Sequence, residues 1–434
     1  MTTLRDTARG EAAGAIRTQP RQRVLEVDAL RGFALLGILL VNTLTMAGTT
    51  GVLGGRPPAA ADAVALWLVD FLAQSKFYLL FSFLFGYSFT LQAASAERAG
   101  ARFGPRTMRR LLGLFVLGAL HAVFLYIGDI LTTYALLGLI LFAARRATPE
   151  GAYRAALWVW GVFGSFLLLL GALGTLAGPE SDAERAAAAA EAAELTTAYR
   201  GGFTDVVGAN VGQLPFAVIA LVTMSGFVVA AFLLGLSAGK RQWLTRADGA
   251  SLRRILVTGL CLGVPAAAFA ASGMAGPLSP RWELLAAMTG VVAAPALSAA
   301  YVAGLLLWFG TPSGARAAGV LAPAGRMALT NYLTQSLVMA LIFTGYGLGL
   351  YGRVGIAVPV GVALVLYAAQ LALSGWLMRR HRLGPVEWVL RAFTHFRERS
   401  RERSHERSHE RAHERAHERA HERARERFRE VNDR

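Results

Sequence analysis

Ten long apolar runs recur along the chain, at approximately 29–47, 77–94, 111–127, 130–144, 155–177, 214–239, 255–274, 284–309, 327–348 and 356–378. A hydrocarbon layer about 30 Å thick is crossed by roughly 20 residues at 1.5 Å per residue. In lipid each backbone donor and acceptor must be satisfied within its own segment, so such runs have to be helices. The expected fold is therefore an all-α polytopic integral membrane protein with about ten transmembrane helices. With 54% hydrophobic and only 17% charged residues, and a mean hydropathy of +0.44, the chain is too apolar for a soluble enzyme of this length.

A net charge of +16 would suggest nucleic acid if the cations formed a groove, but they sit at the ends of apolar runs and in the tail. With the N-terminus inside, the inner loops hold Arg98, Arg102, Arg106, Arg109 and Arg110, then Arg145, Arg146 and Arg154, then Lys240, Arg241, Arg246, Arg253 and Arg254, then Arg316 and Arg326. The outer loops hold only Arg56, Arg185, Arg200, Arg281 and Arg353. This bias is an orientation signal that places both termini in the cytoplasm, and it argues against a nucleic-acid partner. The lone Cys261 excludes an intramolecular disulfide framework or a cysteine metal cluster.

The chain divides into a basic N-terminal extension (1–23), expected to be disordered, a membrane core (24–395) and a charged tail (396–434). Arginines ahead of the first apolar run imitate a secretory signal, but the run is long and further spans follow, which indicates a retained first helix. Residues 63–75, with Asp70 and Gln74, read as an outer interfacial helix, and 179–205, acidic among alanines, as an exposed outer helix. The tail repeats a four-residue unit such as His409-Glu410-Arg411-Ala412, so its copies match the zinc-protease pattern H-E-x-x-H. That match is rejected, because a zinc protease needs its helix buried against a walled cleft with a third ligand, and this segment has no apolar face to bury. No metal or resident cofactor is expected; the tail's arginines suit anionic lipid.

Polar side chains inside apolar runs are costly and hence informative. Asp28, Arg31 and Asn42 lie in the first run; 11 residues at about 100° each put Arg31 and Asn42 on one face, roughly 16 Å apart. Arg110 and His121 share a face at the same spacing, with Asp129 in the tight turn that follows and Tyr134 beyond it. A buried imidazole beside a carboxylate can serve as a general base, the acid fixing its tautomer; a satisfied structural histidine is the competing reading. Asp70, Gln74 and Lys76 would rim the outer mouth. Asn331, Tyr332, Gln335 and Ser336 either line an inner cavity or join helices by hydrogen bonds.

Six segments in order, LEVDALRGFALLGILLVN (25–42), KFYLLFSFLFG (76–86), GDILTTYALLG (128–138), GRMALTNYLTQSL (325–337), GYGLGLYG (345–352) and GPVEWVLR (384–391), resemble the YeiB family of bacterial inner-membrane proteins. The C-terminal part of that family, here about 220–395, is a domain of unknown function, number 418. The resemblance implies location in the bacterial plasma membrane and a fold related to transmembrane acyltransferases, including the acyltransferase-3 proteins and heparan glucosaminide N-acetyltransferase. Such a core takes an acyl group from a cytoplasmic donor, such as acyl-CoA, to an acceptor at or across the membrane. The related enzymes open on a similar D-x-x-R-G, here Asp28, Arg31 and Gly32, and many carry an Arg-x-x-Arg, here matched by Arg106 and Arg109. One departure is that the first helix carries Asn42 and no histidine, which leaves His121 as the histidine in the membrane core available as base.

Two function classes follow. In an acyltransferase, Arg31, Arg106, Arg109 and Arg110 hold the donor's phosphates, His121 oriented by Asp129 deprotonates an acceptor hydroxyl or amine, and Asn42 donates to the developing oxyanion. Asp28, Lys76, Asn331 and Gln335 complete the candidate substrate contacts. In a lipid or small-molecule exporter, the same polar residues line a path and His121 and Asp129 relay protons. A lipid-binding structural protein is a third reading. The partners expected are membrane lipid and a small-molecule or lipid substrate.

Overall fold

In the computed structural model the described residues are 3–49, 59–176 and 181–394, with side chains from Leu25 onward. The repeat tail and the side chains of the 1–23 extension lie outside them. The helices run, in order, α1 Thr3–Met46, α2 Ala60–Leu72, α3 Lys76–Arg98, α4 Phe103–Phe124, α5 Leu131–Ala143, α6 Pro149–Leu176, α7 Asp182–Arg200, α8 Phe203–Gly212, α9 Leu214–Lys240, α10 Trp243–Arg246, α11 Gly249–Ala275, α12 Glu283–Phe309, α13 Pro312–Arg326, α14 Ala328–Phe343 and α15 Ala357–Arg380. A last helical stretch occupies 385–394, and no strand occurs among the described residues.

Each of the ten apolar runs has become a helix, but not all are full crossings. Among the described residues eight segments are long and apolar enough: α1 from Leu25, α2 with α3, α4, α6, α9, α11, α12 and α15. Helices α5 and α14 have 13 and 16 residues, about 20 and 24 Å at 1.5 Å per residue, short of the full hydrocarbon thickness. Both are short for a local reason. Helix α5 begins only after the Asp129 turn, whose carboxylate accepts the Thr132 amide at 2.6 Å. Helix α14 begins at Ala328, where Glu387 accepts from the amides of Leu329 at 2.7 Å and Thr330 at 3.1 Å and from the Thr330 hydroxyl. A carboxylate at that end satisfies orphan donors and opposes the helix dipole.

With lipid outside, helix association relies on close backbone approach at small residues rather than on the hydrophobic effect. Gly32 and Gly325 provide it between α1 and α13: a Cβ on Gly325 would stand 1.8 Å from the Asp28 carbonyl oxygen, and one on Gly32 2.2 Å from that of Leu321. Gly86 and Gly235 do the same for α3 and α9. Lipid-facing surface is conspicuous on α6, where Trp158, Val162, Phe166, Leu169, Leu173 and Leu176 are exposed at helical spacing.

Helix α13 corresponds to none of the ten apolar runs; it lies against α1 and delivers Arg326 to its C-terminal end. The acidic α7 is exposed over most of its length, yet its end is docked. Arg200 donates to the carbonyls of Tyr351 and Gly352 at 2.8 and 3.0 Å, and Gly345 packs where any Cβ would meet the Arg200 carbonyl. Asn210 of α8 accepts from the Tyr199 hydroxyl and donates to the Val123 carbonyl. The α7–α8 pair is thereby tied to the C-terminal end of α4.

Candidate functional site

The α1–α13 crossing and the cap on α14 together frame a cavity of about 530 Å³. Arg31, Arg106, Arg110, Arg326 and Arg391 lie along it, with Glu387 and Ser88. Deeper in, the lining changes to Leu35, Ile38, Phe81, Leu84, Phe85, Leu114, Ile130 and Leu131, with Tyr134 and Tyr332. A basic mouth over an apolar interior suits an anionic head group that carries an apolar chain. Arg31 is held by Asp28 and the Ser88 hydroxyl, so its position is fixed before any ligand arrives. Arg110 stands 5.8 Å from the Phe85 ring centroid, its Nε without a hydrogen-bond partner.

A second cavity of about 270 Å³ lies on the other side of Ile38 and Ile130, which line both. Asn42, Ser75, Asp129 and Thr133 supply its polar wall, with Gly37, Val41, Tyr78 and Met224 around them. Arg31 and Asn42 thus do share a face of α1, as the spacing implies, but each faces a different cavity.

The imidazole of His121 touches one wall residue of each cavity, Tyr332 of the first and Asp129 of the second. It is 2% exposed, and its Nδ1 is 3.0 Å from Asp129 Oδ1. The pair is at ion-pair distance but off the angle of a hydrogen bond, so neither ring nitrogen has an aligned partner. Gly118, one turn earlier on α4, makes the approach feasible, since a Cβ there would stand 2.5 Å from Asp129 Oδ2. The Tyr332 ring packs on the imidazole with centroids 5.0 Å apart. His121 lines neither cavity; Tyr332, which lines the basic one, separates them.

Other expected site residues are placed elsewhere. Arg109 donates to the Thr394 carbonyl at 2.7 Å, tying α4 to the last helical stretch, and is absent from the cavity wall. Lys76 rims no mouth: it is 2% exposed and donates to the Asp70 carbonyl at 2.6 Å, because burial leaves an ammonium no water and the nearest acceptor is backbone. Asp70 is buried as well, while Gln74 alone of that set is exposed. Asn331 and Gln335 line neither cavity. Asn331 donates to Ser374 at 3.0 Å and to the Ala324 carbonyl at 3.1 Å, Gln335 to Gln370 at 2.8 Å, and Gln370 to the Asn331 carbonyl at 3.0 Å. Of the two readings open for that group, the hydrogen-bonded join between helices is the one observed for these two.

Several residues of the site escaped sequence reasoning as functional candidates. Ser88 is one polar residue in an aromatic run, and Arg326 reads only as topology signal. Glu387 and Arg391 sit in GPVEWVLR, beyond the last span. That segment had a signal in its Gly384: a Cβ there would stand 2.3 Å from Glu387 Oε2, so the glycine lets the capping carboxylate reach α14.

Fold and site define a polytopic α-helical membrane protein with a deep, basic intramembrane cavity and a buried histidine–carboxylate pair beyond it. Residues 238–397 match the family model described as protein of unknown function (DUF418). The chain is 30% identical over 406 residues to the uncharacterized protein YxaH of Bacillus subtilis (strain 168), covering 87% of this chain and 96% of that one. It is 28% identical over 403 residues to the uncharacterized protein YeiB of Escherichia coli (strain K12), covering 86% and 96%. An uncharacterized 39.9 kDa protein from Bacillus acidopullulyticus is 29% identical over 87% of this chain. The protein belongs to this YeiB-like DUF418 family. No solved structure matches it.

Proposed function

We propose that the protein is a membrane-embedded acyltransferase of the bacterial plasma membrane. Both termini and the arginine-rich cavity mouth face the cytoplasm, and an acyl-CoA is the donor. The observation that carries this reading is the cavity itself. Arg31, Arg106, Arg110, Arg326 and Arg391 gather at one end of a space whose other end is apolar and abuts Tyr332 on His121. Guanidinium groups match phosphate oxygens in planar, charge-assisted pairs, and the apolar depth takes an acyl chain. The second cavity, with Asn42 and Asp129 in its wall, would admit the acceptor from the opposite side. His121, oriented by Asp129, takes the acceptor's proton.

The test is label transfer from acyl-CoA to membrane or extract acceptors, comparing wild type with His121→Ala at equal amounts of folded protein. The expected result is a loss of about 10²–10⁴-fold, the usual worth of a general base; undiminished transfer in the variant would remove His121 from the mechanism.

An exporter is the second reading, favoured by one specific feature: two cavities of opposite placement divided only by a wall that includes Ile38 and Ile130. Ile38→Ala separates the two. An exporter's barrier would become leaky to a small polar solute in proteoliposomes, whereas a transferase would keep its vesicles tight.

A further inference from the structure

Five polar atoms on four residues cluster at the partition between the cavities without aligned partners: both nitrogens of His121, Asp129 Oδ1, Thr132 Oγ1 and the Tyr332 hydroxyl. They are more than half of all such atoms among the described residues. Buried polar groups in native proteins are nearly always paired, and within a membrane the pressure to pair them is stronger. Orphans scattered singly reflect local imperfection; a cluster between two cavities is what a site completed by its substrate leaves behind.

Tyr332 is the member of that cluster whose side chain also borders the basic cavity. Other buried tyrosines provide the control. The Tyr134 hydroxyl, whose residue lines the same cavity, is engaged by Ser82 Oγ at 2.8 Å and the Tyr78 carbonyl at 3.1 Å. Tyr367 donates to the Gly32 carbonyl at 2.8 Å. Tyr332 is fixed by its ring, packed on His121 at a 39° tilt; its hydroxyl oxygen meets the Ile130 backbone N–H without full alignment, and its proton has no acceptor. Packing alone would be served equally by phenylalanine.

Resting on the acyl-transfer reading, we propose that Tyr332 is a catalytic residue whose hydroxyl donates a hydrogen bond to the thioester carbonyl oxygen. The acceptor's hydroxyl oxygen bonds to the carbonyl carbon while its proton passes to His121 Nε2, and the carbonyl π pair moves onto the oxygen that Tyr332 holds. When that pair returns, the C–S bond breaks and the thiolate of CoA takes the proton from the imidazolium. Tyr332 ends as it began, and the products are the acyl ester and free CoA. A donor placed at the developing charge acts mainly on the transition state.

The experiment uses the full chain in native membrane vesicles, with acetyl-CoA and palmitoyl-CoA as donors, and follows release of CoA thiol in wild type and Tyr332→Phe. Binding is read separately, as the rise in melting temperature that each acyl-CoA gives the purified proteins in detergent. The expected result is a 10²–10³-fold slower release, the range for loss of one oxyanion donor, with the thermal shift retained. If Tyr332→Phe releases thiol at the wild-type rate, the proposal is overturned and the acyl-transfer reading stands. If wild type releases none from either donor, that reading fails and this one with it. Loss of both rate and thermal shift in a folded Tyr332→Phe protein would show the hydroxyl to be a binding contact and also overturn the proposal.

Discussion

Asn331 and Tyr332 are consecutive residues of α14, equally buried, and they belong to opposite kinds of polar site. Asn331 faces α15, where its amide and carbonyl join Ser374 and Gln370 in a hydrogen-bonded network that extends to Gln335. Tyr332 faces α4, where its hydroxyl and the polar atoms of His121 lack aligned partners. Burial and polarity are the same in the two places; satisfaction is not, since only Gln335 Oε1 of the first network lacks a partner. A polar residue in a span is thus informative about function only after its partners are counted, because a paired amide holds helices together and an unpaired cluster is held ready at a cost in stability.

The largest effect should come from neither cluster but from the crossing that positions both. Gly325→Val forces a side chain against the Asp28 carbonyl and should cost several kcal/mol, the scale of overpacking with backbone displacement; folded, monodisperse protein from this variant on size-exclusion would break the packing argument. Next, Asn331→Leu should lower stability by about 1–2 kcal/mol, near the upper end for hydrogen bonds within membrane bundles. Tyr332→Phe should change stability by less than about 1 kcal/mol, or raise it, because it removes a buried hydroxyl that makes no aligned hydrogen bond. Matched thermal melts of the two variants compare the sites directly, and equal losses would erase the distinction. The smallest change is expected for Arg241→Ala, whose 2.9 Å pair with Glu150 is exposed and screened by water; its melting temperature should match that of wild type.

Much of the fold was legible because apolar length is a strong constraint in lipid: each of the ten runs became a helix. What length could not show is that α5 and α14 stop short, since their starts depend on carboxylates from Asp129 and from Glu387, the latter distant in sequence. Helix α13 was missed because it is amphipathic and packs on α1 through glycines, leaving no long apolar run. Helical spacing puts Arg110 and His121 on one face of α4, since 11 residues close on about three turns, and Asp129 reaches His121 from the turn that follows. Lys76, Asn331 and Gln335 fall outside both cavity walls, because spacing says which face a residue occupies, not whether another helix satisfies it there. Glu387 and Arg391 lie beyond the last span, where no periodicity connects them to the cavity they border.

The basic cavity is the feature on which all of these assignments turn, and ligand-dependent melting in detergent examines it most directly. Acyl-CoA at a hundredfold over its Kd should stabilise wild type by about 2.7 kcal/mol. It should stabilise His121→Leu equally, and the shift should be lost in a folded Arg31→Gln/Arg110→Gln variant. An unchanged melting temperature for wild type, or an undiminished shift without the two arginines, would contradict the assignment of this cavity to an anionic acyl carrier.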